Sequence, residues 1–595
     1  MRSYLAHPRP WSKNEFVKVM VNKQRSSRYL ALCLVIAILI PFQSEALGAV
    51  HEPVYAKHAM IASQHPIASK IGVEILKKGG NAVDAAIAVG LALAVVYPEA
   101  GNIGGGGFML IRKPNGETAA IDYREMAPAA ASRDLFVDKN GTLIKGEGSS
   151  DVGYRASGVP GTLAGFELAF KKHGSGNVKW ADLVEPARAV AANGYVLTHR
   201  LAELFKSYKE TLSRYPESKR VFLKDGSFYE GGELFRQPDL ARTLARIKAD
   251  GSSDFYRGET ARMIAADMKA NNGLITLEDL KNYVAKERTA LRGNYRGHEI
   301  ITMPPPSSGG IVMLQVLNML EGFDLRAMGA NSAAKFHLFT EASRRAFADR
   351  AEFMADPDFA VVPTSKLIDK NYAVTRRNTI EQNKAGTSAS VGHGAVQISE
   401  GTETTHFTVI DKDGMVVTNT YTINDLYGSR VTIKGTGVLM NDEMDDFAAR
   451  PGVPNMFGLI QGDRNKIEGG KRPLSSMTPT IVLRKDGSFW FALGARGGPR
   501  IISAVMQSVI NVIDHDMNIQ DAIDAPRIHH QWLPDEVLFE RNGISPDTRK
   551  ILDSYGHKFA ERPSNIASAT GVMVTDKGLR VGAIDSRSDG EAIGY

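Results

Sequence analysis

The sequence predicts an α/β sandwich, stacked antiparallel sheets covered by helices, and three observations carry that expectation. Four segments share one form, an apolar strand, a turn ending in Gly and a second strand: "FMLIRKPNGETAAID", "HFTVIDKDGMVVTNT", "TIVLRKDGSFWFALG" and "GVMVTDKGLRVGAID". Each is a β-hairpin signal. "NAVDAAIAVGLALAVV", Asn81 to Val96, reads as a helix apolar on nearly every side, which requires burial between layers. The hairpins stand at both ends of the chain around a middle that reads mostly helical, so the two ends are expected to build one common core.

The N-terminus is expected to stand apart from that core. Arg25 and Arg28 precede the apolar run Tyr29 to Pro41, and Ser44-Glu45-Ala46 offers small residues where a signal peptidase reads. The run falls short of the ~20 apolar residues of a membrane span. Residues 1–46 therefore read as a secretory leader, with Met20 as an alternative start and an uncleaved anchor as the competing reading. The leader holds seven Lys or Arg against Glu15 and Glu45, so without it the net charge falls from +6 to about +1. A basic balance then gives no argument for nucleic acid as a partner. Cys33, the single cysteine, also lies in the leader, so the remainder has no disulfide, thiol nucleophile or cysteine-bound metal. It must be held by packing, for which 595 residues at 43% hydrophobic are ample.

After the leader, "IASKIGVEILKKGG" has helical apolar spacing and a Gly79-Gly80 stop, and "AKFHLFTEASRRAFADRAEFM", Ala334 to Met354, is the clearest helix of the middle. "GNIGGGGF", Gly101 to Phe108, does not fit a dinucleotide fingerprint and reads as a tight turn or close backbone packing. Residues 383–403, rich in Gly, Ser, Ala and Thr, have the composition of a mobile connector and run straight into the hairpin that begins near Thr404-Thr405.

Several catalytic classes find no support. There is no HExxH, GxSxG or GxxxxGK[ST] motif, and His529-His530 are neighbours that an extended strand would turn to opposite faces, a poor metal pair. The doubled threonine remains, and a hydroxyl nucleophile needs a base. A lysine amine, with pKa about 10.4, is mostly protonated at neutral pH, whereas an α-amino group near 7.7 to 8.0 is partly free. If the bond before Thr404 is cut, one residue carries both nucleophile and base. His406, two positions along the strand, is a rival base, and the residues alone leave open that both threonines are ordinary strand positions.

Six ordered motifs settle that choice: "TTHFTVIDKDG" with "TYTIN", "NDEMDDF", "KRPLSSMTPTIV", "DYREMAP", "MPPPSSGGI" and the C-terminal "GEAIGY". Together they resemble γ-glutamyltranspeptidase over essentially the whole chain after the leader. The resemblance implies a four-layer αββα sandwich of the N-terminal-nucleophile hydrolase type, made as one precursor that cuts itself. The cut would fall between residues 403 and 404, giving a large subunit, 47–403, and a small subunit, 404–595, that remain together as a heterodimer. It further implies γ-glutamyl transfer from glutathione and other γ-glutamyl compounds to water, or to amino-acid or peptide acceptors. No cofactor and no metal is implied, and the place of action would be periplasmic or secreted.

Site residues follow from the same matches. Thr404 matches the nucleophile, Thr422 the threonine that supports it, and Gly497-Gly498 the oxyanion hole. Arg124 suits the substrate α-carboxylate through paired charged hydrogen bonds, with hydroxyls from Ser475 and Ser476. Glu443, Asp446 and the carbonyl of Asn424 suit the α-ammonium. His406 matches a position that the family does not use as a base.

Three departures stand out: Glu443 where many bacterial relatives carry Gln, Arg496 and Pro499 around the oxyanion glycines, and Phe457 where some relatives have a lid Tyr, within a lid expected over about residues 451–471. Two rival functions stay in view, a cephalosporin-acylase-like amidase on the same fold and a catalytically inactive γ-glutamyl-binding protein.

Overall fold

Two antiparallel sheets of seven strands each make the centre of the protein, seen here in a computed structural model. The structure describes residues 52–224, 227–392, 404–449 and 462–595. The expected leader with Cys33, the end of the connector with Glu403, and Phe457 with much of the expected lid lie outside them.

All four hairpins form where the sequence places them. Gly106–Arg112 pairs with Thr118–Tyr123 and Thr405–Ile410 with Val416–Thr422 in one sheet. Thr480–Leu483 pairs with Phe489–Arg496 and Ser568–Val574 with Arg580–Ile584 in the other. The C-terminal strand Glu591–Gly594 lies beside Met60–Ser63, so the two ends of the chain do share one core.

Both faces of the inner strands are covered, which explains their nearly continuous apolar character. Along Phe108–Ile111, side chains alternate across the sheet. Phe108 and Leu110 meet the opposite sheet, whereas Met109 and Ile111 join the helical layer on the outside. That layer contains Pro66–Lys77 and Ala82–Val96, and every residue of the second helix is buried. Asn81 caps it reciprocally with Asp84, and Asp411 accepts the Ala82 N–H at 3.0 Å, tying the helix start to the central hairpin. Gly309–Leu320, Ala333–Phe353 and Arg500–His515 cover the other sheet, completing helix, sheet, sheet, helix. Among the described residues no helix is long and apolar enough to cross a membrane.

The middle of the chain is less purely helical than expected. Leu291–Tyr295 and His298–Thr302 form a fifth hairpin at the edge of one sheet, and Lys286–Arg288 edges the other. Its turn places Arg296 at φ 54° and Gly297 at φ 85°. Asn-Gly is the usual signal for such a turn, and Arg-Gly conceals it.

Candidate active site

Thr404 immediately precedes a central strand. In the hairpin that follows, Thr405 pairs with Tyr421, so the next step of the register brings Thr404 to Thr422, the last residue of the partner strand. Behind Thr422 the run Gly101–Phe108 packs at backbone distance, the second of its two expected readings. A Cβ on Gly105 would stand 2.0 Å from the Thr422 carbonyl, and Asn102 donates to that same carbonyl at 2.8 Å. The glycines thus let the neighbouring strand lie against the end that carries the hydroxyls.

The remaining candidate residues come from four turns. Arg124 follows the strand Thr118–Tyr123, and Glu443 and Asp446 sit on one short 3₁₀ turn. Asn441 fixes that turn: its carbonyl oxygen accepts from the Glu443 N–H at 3.0 Å, and its amide donates to Gly104 and Gly158, each at 2.8 Å. Asn424 takes φ 75°, with its N–H on the Thr422 hydroxyl at 2.8 Å and its side chain on the Asp442 carbonyl at 3.1 Å. Ser475 is held by backbone bonds to the "MPPPSSGGI" segment, from its N–H to Pro306 at 2.9 Å and from Ser308 to its carbonyl at 2.7 Å.

These turns converge on one cleft of about 260 Å³. Thr404, Thr422, Asn424, Arg124, Glu443, Asp446, Ser475 and Ser476 all line it. Gly498 and Ile501 line it too, while Gly497, the residue before Gly498, does not. Gly497 and Gly498 have φ 129° and 57°, conformations suited to glycine. They lead into the helix Arg500–His515, whose N-terminus carries the positive end of its dipole, with the Ile501 and Ile502 N–H groups donating to the carbonyls of Gly498 at 3.0 Å and Pro499 at 3.2 Å.

Two of the sequence departures find a local explanation. Pro499, at φ −64°, occupies the N-cap of that helix, where no N–H is required of it. The Arg496 guanidinium lies 5.8 Å from the centre of the Tyr97 ring and does not line the cleft.

Electrostatically the cleft is dominated by one buried arginine among carboxylates. Arg124 Nη1 contacts Glu443 and Nη2 contacts Asp446, while Nε and Nη2 donate to the carbonyls of Pro473 and Leu474, both at 3.2 Å. The groups expected to hold opposite ends of a substrate also pair with one another, because buried charges require partners. Burial pushes the Glu443 and Asp446 carboxyls up, and Arg124 opposes it. Glu125, fully buried beside them at 3.5 Å from Arg124, is pushed up to about 7 by burial.

Glu125, Asn441 and Arg350 were not singled out from sequence. The first two lie inside quoted motifs, so adjacency to Arg124 and Glu443 was an available signal. Arg350 lies within a helix, where an arginine ordinarily faces water, and nothing local marks it as buried.

His406 does not serve as a rival base. It is fully buried between the sheets, where a Cβ on Gly494 would stand 2.3 Å from its ring, and its nitrogens meet the hydroxyls of Thr420 at 2.8 Å, Thr408 at 3.0 Å and Thr418 at 3.1 Å. Burial lowers its pKa to about 3. His529 and His530 take different partners, Ser503 and Gln531 for the first and Asp535 for the second.

The model of the family described as gamma-glutamyltranspeptidase matches residues 68–595. The glutathione hydrolase proenzyme of Escherichia coli (strain K12) is 47% identical over 548 residues, covering 92% of this chain and 93% of its own. Among solved structures, the cephalosporin acylase from Bacillus halodurans superposes with a TM-score of 0.80 at 26% identity, covering 94% of this chain and 99% of that one. The Helicobacter pylori gamma-glutamyltranspeptidase does so with a TM-score of 0.55 at 46% identity, covering 57% of this chain and 95% of that one. With the match extending across both sheets and every wall of the cleft, this chain belongs to the gamma-glutamyltranspeptidase family.

Proposed function

We propose that the protein is an exported, self-processing γ-glutamyltransferase and glutathione hydrolase. The observation that carries this reading is one cleft in which Thr404 stands with an arginine and two carboxylates, the charges that a free amino-acid head group requires. Cleavage between residues 403 and 404 would release the Thr404 α-amine and leave 47–403 and 404–595 as associated subunits. The word proenzyme in the name of the Escherichia coli relative supports such processing. Removal of residues 1–46 would deliver the protein to the periplasm or beyond.

In the reaction, the substrate α-carboxylate takes Arg124 and the hydroxyls of Ser475 and Ser476, and its ammonium takes Glu443, Asp446 and the Asn424 carbonyl. The head group thereby exchanges one set of ion pairs for another. The γ-carbonyl then lies before Thr404. Oγ1 passes its proton to the Thr404 amine and attacks, forming a tetrahedral oxyanion that meets the N–H groups of Gly497 and Gly498. Collapse expels the amine of the leaving half, for glutathione its cysteinyl-glycine, which takes up the proton. Water, an amino acid or a peptide then attacks the γ-glutamyl ester on Thr404. Thr422 supports the nucleophile from the facing strand.

The likeness to a cephalosporin acylase keeps an amidase for simple dicarboxylic acyl groups as the second reading. Glu443 and Asp446 beside Arg124 favour the amino-acid head group, because a glutaryl chain has no ammonium for them. Denaturing mass analysis of the purified protein should show two fragments, the smaller beginning at Thr404, and turnover of γ-glutamyl anilide in preference to a glutaryl amide. Thr404→Ala should leave one uncut chain without activity. An uncut wild-type chain, or equal activity in the variant, would refute the proposal.

A further inference from the structure

Arg350 is the second fully buried cation at the cleft, and the reaction as derived makes no use of it. It projects from the helix Ala333–Phe353 behind the wall that carries Ser475 and Ser476. Its Nε donates to the Ser308 hydroxyl at 2.8 Å, and that hydroxyl donates in turn to the Ser475 carbonyl at 2.7 Å. Nη2 approaches the Ser476 hydroxyl at 3.5 Å. Burial lowers the Arg350 pKa to about 9, and the negative charge of Asp446 opposes the shift. One guanidinium therefore touches Ser308 and Ser476, reaches the Ser475 carbonyl through the Ser308 hydroxyl, and feels the charge of Asp446.

We propose that Arg350 is a positioning and specificity-determining residue for the α-carboxylate end of the substrate, acting through Ser476, through Ser308 on the Ser475 backbone, and through the charge of Asp446. Two physical effects combine. A serine hydroxyl has one hydrogen, and an arginine donating to its oxygen directs that hydrogen elsewhere, here toward the cleft that Ser476 lines. The second effect is charge balance. Glu125, Glu443 and Asp446 place three carboxyl groups around Arg124. With Arg124 as the sole cation the site would repel an incoming carboxylate; Arg350 supplies a second positive charge without occupying the cleft, because it does not line it. The site can then accept a zwitterion in preference to a plain amine.

This inference rests on the γ-glutamyl reading of the cleft, and the experiment separates the two. Wild type, Arg350→Met and Arg350→Lys are compared as mature enzymes for KM and kcat on γ-glutamyl anilide and for Ki of free L-glutamate, which presents the same head group. Arg350→Met should raise KM and Ki together by about tenfold or more, with kcat per mature active site changed less than about threefold. Arg350→Lys keeps the charge and loses the fork, and should fall between the two. Should the methionine variant fail to mature, the lysine variant decides, with an expected threefold or greater rise in both constants. A purely structural role would lower the yield of active sites at unchanged KM and Ki, and that result overturns the inference alone. A wild-type enzyme that does not turn over γ-glutamyl anilide overturns the function and this inference together.

Discussion

Replacing Arg124 by Lys preserves the charge in the cleft and removes the fork, which isolates what geometry contributes. The guanidinium spans Glu443 and Asp446 with its two terminal nitrogens and reaches the carbonyls of Pro473 and Leu474, both at 3.2 Å. A single ammonium on a shorter reach cannot address both carboxylates and both carbonyls, nor take a substrate carboxylate side-on. Losing one charge-assisted hydrogen bond to the substrate costs about 1.5–3 kcal/mol. Further loss comes from a looser cluster, since the 3₁₀ turn bearing Glu443 and Asp446 is held partly through Arg124. A total near 3 kcal/mol corresponds to roughly a hundredfold in kcat/KM. Because the head group is bound alike in ground state and transition state, most of it should appear in KM. Steady-state kinetics on γ-glutamyl anilide, with active sites counted from the Thr404 fragment, measure both. A kcat/KM within threefold of wild type, or a loss confined to kcat, would refute the assignment of Arg124 to the substrate carboxylate.

Gly497→Ala tests the oxyanion assignment. A Cβ there would stand 2.9 Å from the Ala567 Cα at φ 129°, so the loop must shift, and misplacing an oxyanion donor should lower kcat about 100- to 1000-fold with KM little changed; wild-type kcat in the mature variant would exclude that role. Stability should fall in acid because several imidazoles are buried uncharged. His406, His529 and His557 have pKa values lowered to about 3 and His530 to about 4, against about 6.5 in an unfolded chain. Between those values the unfolded state binds more protons, so the thermal midpoint should drop steadily from pH 6.5 toward pH 4 and stay level above pH 7 as far as these groups contribute. A midpoint independent of pH over that interval would show that these rings are not held neutral.

What the sequence determined by itself was everything expressed in local periodicity or in motif order. The four hairpins, the all-apolar helix Ala82–Val96 and the long helix Ala333–Phe353 follow from alternation, turn residues and burial demand over a few consecutive positions, and the ordered motifs contain most of the residues that line the cleft. The tertiary structure decided the rest, for reasons of distance along the chain. Thr404 meets Thr422 through strand register, but Arg124 meets Asp446 across more than three hundred residues, and no local pattern encodes that approach. The same limit hid Arg350, which reads as an ordinary helix arginine until the Ser308 and Ser476 turns close over it, and it left His406 open as a base until Gly494 of the opposite sheet packed on its ring. Local patterns specify which face of an element is buried. Only the packing of layers specifies what it is buried against, and for a charged or titratable group that neighbour determines its chemistry.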